Sequence, residues 1–251
     1  MTSIWAIADL HLAFGNPEKN MEVFGPVWKD YAKRIETNWK ACIQDEDLVL
    51  IPGDISWAMN MEAALVDLEW IDALPGTKVL LKGNHDYWWP SNKKLSAMLP
   101  PSTHFIHNNA FKWRGVAIGG SRLWDTEEYS FKEYVVFQDN PHEKPKEVNL
   151  EQNQKIFQRE LERLTLSLKQ LDEKAPLRIA MTHYPPISAD LRDSQVSKVL
   201  EAYKIDACVF GHLHNIKKVD PFFGEKNQIR YLYTAADYLD FKPLLVYSNI
   251  D

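Results

Sequence analysis

Apolar residues fall along the chain in two alternating patterns. Short unbroken runs occur at 3–8, 47–51, 78–81, 116–120, 179–181 and 207–210, each followed at once by glycine or polar residues. Such runs, short and flanked by turn residues, predict strands buried on both faces. Between them, spacings of three and four predict helices. Val27, Tyr31, Ile35, Trp39 and Ile43 form one apolar stripe, and Ala64, Leu65, Leu68 and Ile71 form another, starting near Asn60 and stopped by Pro75-Gly76. The clearest helix is predicted over 150–171, where the glutamates, including Glu160, Glu162 and Glu173, mix with lysines and arginines and read as a solvated face. A shorter helix is expected near 194–203, and 229–234 and 244–247 read as closing strands, antiparallel and joined by turns. Strand and helix alternating in this way is an α/β pattern whose ligand crevice lies beyond the strand carboxyl ends.

What stands at those ends changes the picture. The first run ends in Asp9-Leu10-His11, the second in Pro52-Gly53-Asp54 and the third in Lys82-Gly83-Asn84-His85-Asp86. Later runs end in Thr182-His183 and in Gly211-His212-Leu213-His214. In extended backbone, residues two apart face one way, so Asp9 with His11, and His212 with His214, would each address one point. Any one of these motifs alone reads as a turn or a helix cap. Together they place five of the chain's eight histidines directly after apolar strands. Carboxylate, amide oxygen and imidazole without thiolate suit divalent ions of the manganese, iron or zinc class, and the donors are too many for one ion. Two ions sharing a carboxylate is the economical solution.

Other stretches read more plainly. Of Tyr87-Trp88-Trp89, at least two aromatic rings are expected in the core, and His104 and His107 read as structural or surface histidines. Arg122, just after Gly119-Gly120, could reach a substrate phosphate or pair with Asp125 or Glu127. The charged and aromatic segment at about 122–148, broken by prolines, is the expected lid or specificity insertion.

Composition sets bounds. A chain of 251 residues with 45% hydrophobic content suits a single domain over 1–251 with a sizeable core. A net charge of −6 offers no general attraction to nucleic acid or to a membrane surface, so an anionic substrate must be held by local charge. The two cysteines, Cys42 and Cys208, read as buried thiols of a reducing compartment. With no basic leader and no membrane-length apolar run, the expected location is cytoplasmic.

In order and type, Asp-x-His, Gly-Asp, Gly-Asn-His-Asp, an isolated His after a strand and Gly-His-x-His resemble the calcineurin-like metallophosphoesterase family. The segment 120–125 is also similar to that of some uncharacterised bacterial members. The resemblance spans Asp9 to His214. It implies a four-layer αββα sandwich, two mixed sheets flanked by helices, with the metal site at the strand carboxyl ends. It further implies that Asp9, His11, Asp54 and His214 hold one divalent transition-metal ion, and Asp54, Asn84, His183 and His212 a second, with Asp54 as bridge and manganese as the first choice of metal. His85 would act on the leaving group with Asp86 orienting it, while Asn84 and Arg122 would touch substrate. The implied activity is hydrolysis of a phosphate ester by metal-bound hydroxide. A phosphodiesterase or nuclease is the enzymatic alternative, which the absence of a basic run disfavours. A scaffold protein that keeps the fold without chemistry should have lost ligand positions, and none is missing here.

Overall fold

The computed structural model describes residues 2–136, 149–219 and 222–250. In chain order the elements are Thr2–Ala6 (β1), Tyr31–Cys42 (α1), Leu48–Pro52 (β2), Met61–Asp72 (α2), Thr77–Leu81 (β3), Asn92–Met98 (α3), Thr103–Ile106 (β4), Phe111–Trp113 (β5) and Val116–Ser121 (β6). Leu150–Leu168 (α4), Leu177–Thr182 (β7), Gln195–Ala202 (α5), Ala207–Phe210 (β8), Glu225–Lys226 (β9), Ile229–Tyr233 (β10) and Leu244–Ile250 (β11) follow.

The strands form two sheets, one ordered β11-β1-β2-β3-β4 and the other β5-β6-β7-β8-β10-β9. Within the first, β1 through β4 run parallel and β11 closes antiparallel on β1. In the second, β6, β7, β8 and β10 run parallel, with β5 and β9 antiparallel at the edges. The strands are apolar on both faces because both faces are covered. Ile4, Leu50, Val79 and Leu81 of one sheet meet Ile118, Ile179, Met181 and Val209 of the other in a central core. Their alternates point outward: Val49, Ile51 and Leu80 pack under Ile35, Trp39, Leu68 and Ile71 of α1 and α2. On the far side, Ala180, Cys208 and Phe210 pack with Leu164, Leu168, Val196 and Leu200 of α4 and α5. Helix, sheet, sheet, helix is the expected αββα sandwich. Fully burying a side chain such as Ile35 or Leu68 contributes about 1.5–3 kcal/mol, so the two outer cores fix the helices against the sheets.

Several expectations change in detail. The segments read as a closing antiparallel pair belong to different sheets, since β10 runs parallel to β8 while β11 joins β1. The first stripe becomes helical only at Tyr31, because Gly25-Pro26 gives the preceding residues a separate 3-10 turn. Glu160 is no solvated residue: it is buried where α4 meets the end of β6, as its partners below explain. Two of the three aromatics at 87–89 are buried, as expected, Trp88 and Trp89, while Tyr87 is exposed. Neither cysteine is bridged, Cys208 being buried and Cys42 half-buried. Of the expected lid, 137–148 lies outside the described residues, whereas Phe131, Tyr134 and Val135 pack against the second outer core. No helix among the described residues is long and apolar enough to cross a membrane.

One buried charge ties the first sheet together. Lys78 of β3 donates through Nζ to the carbonyls of Asp72 and Leu74 at the end of α2 and to Ser102 Oγ, and burial lowers its pKa to about 8. Replacing it, Lys78→Met, leaves those buried acceptors without a donor and should cost about 1–3 kcal/mol in denaturant unfolding. A midpoint equal to that of the parent chain would show that the lysine only fills space.

Candidate metal centre

The strand ends meet at one edge of the sandwich because the loops bond to each other through backbone. Asp9 N donates to Gly53 O, His11 N to Asp54 O and Gly211 N to His183 O, at 3.0–3.1 Å. To turn this tightly, Asp9, His11, Asp54 and His212 take φ of 58°, 45°, 52° and 76°, a left-handed region that costs a non-glycine residue of order 1–3 kcal/mol. Four such residues in one cluster require strong compensation from their neighbours. Glycine is required where the loops touch: a Cβ at Gly83 would stand 2.1 Å from Asp54 Oδ1, and one at Gly211 2.1 Å from Asp9 Oδ2.

The side chains converge accordingly. Asp9, His11 and His214 present donor atoms within 4.8 Å of one another, and so do Asp9, Asp54 and His183. Asp54 Oδ2 lies 3.7 Å from His11 Nε2 and 3.4 Å from His183 Nε2, near one histidine of each group, while Asp9 belongs to both. Asn84 Oδ1 sits 2.7 Å from His183 Nε2 and 3.0 Å from His212 Nδ1. All seven residues expected as ligands are thus brought together. His85 lies beside them, its backbone N–H donating to Asp54 Oδ1 and its ring 5.8 Å from that of His11.

The donor set fits cations. The Nε2 atoms of His11 and His214 face each other at 3.1 Å, which two lone pairs tolerate only with a proton or a cation between them. Two buried carboxylates, Asp9 and Asp54, share the same space. Burial, and then repulsion from Asp54, raises the pKa of Asp9 despite the nearby histidines; Asp54, although buried, is held well below the carboxylate range by His183 and His11. Burial alone would lower His183 and His214, yet Asp54 raises the first and Asp237 the second, each to about 9. His11, buried among other imidazoles, falls to about 3.

Further residues support the cluster. Asp237 faces His214 Nδ1 at 3.1 Å and accepts from Asn215 N, and Pro52 O faces His183 Nδ1 at 3.0 Å; each leaves the imidazole's Nε2 turned to the centre, as supporting groups around metal ligands do. Trp57 stacks on His11 at 5.0 Å and leans on His85 at 4.5 Å. Sequence reading missed both. Asp237 follows the strand ending Tyr233-Thr234, so the rule that found the other residues of the cluster would have reached it; Trp57 had no such signal. Asp86, expected to orient His85, also joins two loops. Its buried carboxylate accepts from the backbone of Gly83, Ile55 and Ser56 and from Trp88 Nε1, which ties the Gly-Asp loop to the Gly-Asn-His-Asp loop. These bonds position both loops. Arg122 pairs with Glu160 at 3.5 Å, not with Asp125 or Glu127, and lies over the Trp124 ring at 4.6 Å.

An αββα sandwich with imidazoles, carboxylates and an amide oxygen gathered at its strand ends defines a metal-binding hydrolase-type scaffold. The chain belongs to the calcineurin-like phosphoesterase family, whose sequence profile matches residues 2–215. Over 86 residues it is 34% identical to the Gene 66 protein of Mycobacterium phage D29, a match covering 34% of this chain and 41% of the phage protein. Phosphopantetheinyl hydrolase from Mycobacterium tuberculosis shares the fold at a TM-score of 0.53 and 14% identity, with 99% of this chain and 96% of that one covered. A protein of unknown function from Aquifex aeolicus aligns at a TM-score of 0.49 and 17% identity, covering 98% and 96% of the two chains.

Because His183 and His214 hold their protons at pH 7 when no ion is present, an ion that takes their Nε2 atoms must displace protons. Affinity for divalent ions should therefore climb between about pH 7 and 9 and level above, with proton release visible by calorimetry in buffers of different ionisation enthalpy. A flat affinity over this range would remove both histidines from the ligand set.

Proposed function

We propose that the chain is a dinuclear metal-dependent phosphoric ester hydrolase. The observation that carries the reading is the position of Asp54 Oδ2 between His11 and His183, one carboxylate oxygen facing two adjoining sets of donors. Asp9, His11, Asp54 and His214 would hold one ion and Asp54, Asn84, His183 and His212 the other, with manganese, iron or zinc matching the oxygen and nitrogen donors. Divalent ions held there supply Lewis acidity, bringing the pKa of water towards neutrality and offsetting the charge on a phosphoryl group.

The chain's own residues do the rest. Asp9 and Asp54 are buried, so two charges face the centre through low dielectric and keep cations in place. Asn84, its Oδ1 turned to His183 and His212, would leave its amide N–H for a substrate oxygen. His85, in neither ligand group found among the described residues and packed against Trp57, would hand a proton to the departing alkoxide. The body of the substrate would occupy an adjoining cavity of about 800 Å³ that reaches His212 and is walled by Trp124, Tyr129, Phe131 and Tyr184. Trp124, Tyr129 and Phe131 come from the described part of the segment read as a specificity insertion within a single domain. A cytoplasmic location and a phosphate-ester substrate with no membrane partner complete the reading.

The direct test is a panel of phosphate monoesters and diesters assayed with manganese, zinc, iron and cobalt after the native metal is stripped. No turnover with any metal would leave the fold as a scaffold, and a preference for polynucleotides would favour the nuclease alternative. A fully loaded sample should contain two ions per chain, and Asp54→Asn should weaken both together; one ion, or two retained at parent affinity, would end the bridging role.

His85→Ala should keep both ions and the fold, yet slow hydrolysis by roughly 10²–10⁴-fold for esters of aliphatic alcohols. Nitrophenyl esters, whose leaving group departs without a proton, should suffer least. Equal losses in single-turnover measurements would assign His85 to phosphoryl positioning instead.

A further inference from the structure

A second charged site flanks the first. Three guanidinium groups converge on one carboxylate oxygen: Glu160 Oε1 lies 2.8 Å from Arg163 Nη1, 3.4 Å from Arg159 Nη2 and 3.5 Å from Arg122 Nη2. Glu160 is only 2% exposed, and its other oxygen accepts from Ser121 Oγ at 3.1 Å. These residues line a cavity of about 260 Å³ that is also lined by Lys82, His107 and Asn108. The Lys82 side chain makes no hydrogen bond or ion pair among the described residues, and Glu160 is one of the two carboxylates whose charge acts on it. The other carboxylate acting on Lys82 is Asp86, already engaged by four donors. Four cationic side chains against these two carboxylates leave about two positive charges in a protein whose net charge is −6. A purely structural ion cluster would match its charges. This one has a cation excess around an open volume, the arrangement that recognises oxyanions through forked guanidinium donors.

The cavity is lined by residues that adjoin those of the metal centre along the chain and across the sheet. Lys82 stands two residues before Asn84, and Ser121 pairs with Thr182, the neighbour of His183. Arg122 O accepts from the N–H groups of both His183 and Tyr184. We propose that the cavity between Lys82, Arg122 and Arg163 binds a second anionic group, phosphate or carboxylate, of the same substrate whose ester is cleaved at the metal centre. The proposal rests on the phosphoesterase reading and narrows it to phosphoesters that carry a further anion. Glu160 acts as the template, aligning the arginines while leaving their remaining donors for the ligand.

Matched substrates test it on the metal-loaded chain. The ratio of kcat/KM for fructose 1,6-bisphosphate to that for fructose 6-phosphate, and for 3-phosphoglycerate to glycerol 3-phosphate, should exceed one in the parent. In Lys82→Gln and in Arg163→Gln at least one of these ratios should fall by about tenfold or more, the scale of one lost charge-assisted hydrogen bond. Ratios unmoved in both variants would overturn the proposal. Binding of inorganic sulfate by equilibrium dialysis separates this from the fate of the hydrolase reading. Sulfate should bind the parent and Asp54→Asn, and be lost in Lys82→Gln. That pattern without turnover of any ester would support the anion site and defeat the hydrolysis; sulfate binding indifferent to Lys82 would defeat the site itself.

Discussion

Everything at the working edge of this protein depends on how closely its strand-end loops approach one another. Gly83 and Gly211 lie against the carboxylates of Asp54 and Asp9 so tightly that a Cβ has no room at either position. Backbone bonds from Asp9 to Gly53 and from His11 to Asp54 lock the loops at that separation. The cost is concentrated in the four left-handed residues, each of which carries a side chain of the centre or its immediate surroundings. Asp86 provides the main compensation, one buried carboxylate satisfying three backbone N–H groups and an indole across two loops. The geometry of the donors is thus a property of the backbone before it is a property of the side chains.

That approach creates an electrostatic problem which the rest of the centre answers. Two carboxylates buried side by side cannot both ionise cheaply, and their pKa values are driven in opposite directions. Protonated His183 and His214 stand in for the missing positive charge when no ion is bound. Their second ring nitrogens face Pro52 O and Asp237, so an ion can replace the protons without the rings turning. The site is organised to exchange one kind of cation for another.

How much of this was legible in the sequence follows the range of the forces involved. Buried strands and their polar ends were readable because a run of apolar residues and the motif after it are both local, and Asp9, His11, Asp54, Asn84, His85, His183, His212 and His214 were all found that way. The αββα layering came with the motif set, since strand alternation alone also fits a single doubly wound sheet. What failed was non-local. Nothing in the sequence near Leu244 says that β11 crosses to pair with β1, and nothing near Glu160 says that it is covered by the end of β6. Helical periodicity counted Glu160 among solvated charges because the arginines that bury it come from its own helix and from Arg122, thirty-eight residues earlier. Proximity in sequence to His85 also gave no hint that Asp86 accepts from Ile55 and Ser56, about thirty residues away.

The same strand ends therefore support two sites of opposite polarity. At one, buried carboxylates with too few protons attract cations; at the other, arginines and a lysine with too few carboxylates attract an anion. Each imbalance would be destabilising in isolation, because an uncompensated charge away from water is costly. Side by side they suit a ligand that brings its own charge, and a molecule with two anionic groups would satisfy both, one through bound cations and the other directly. Glu160 sets the difference between them. Without it, three guanidinium groups would repel one another and splay into solvent; with it, they are held in register at a single oxygen and still retain donors to offer.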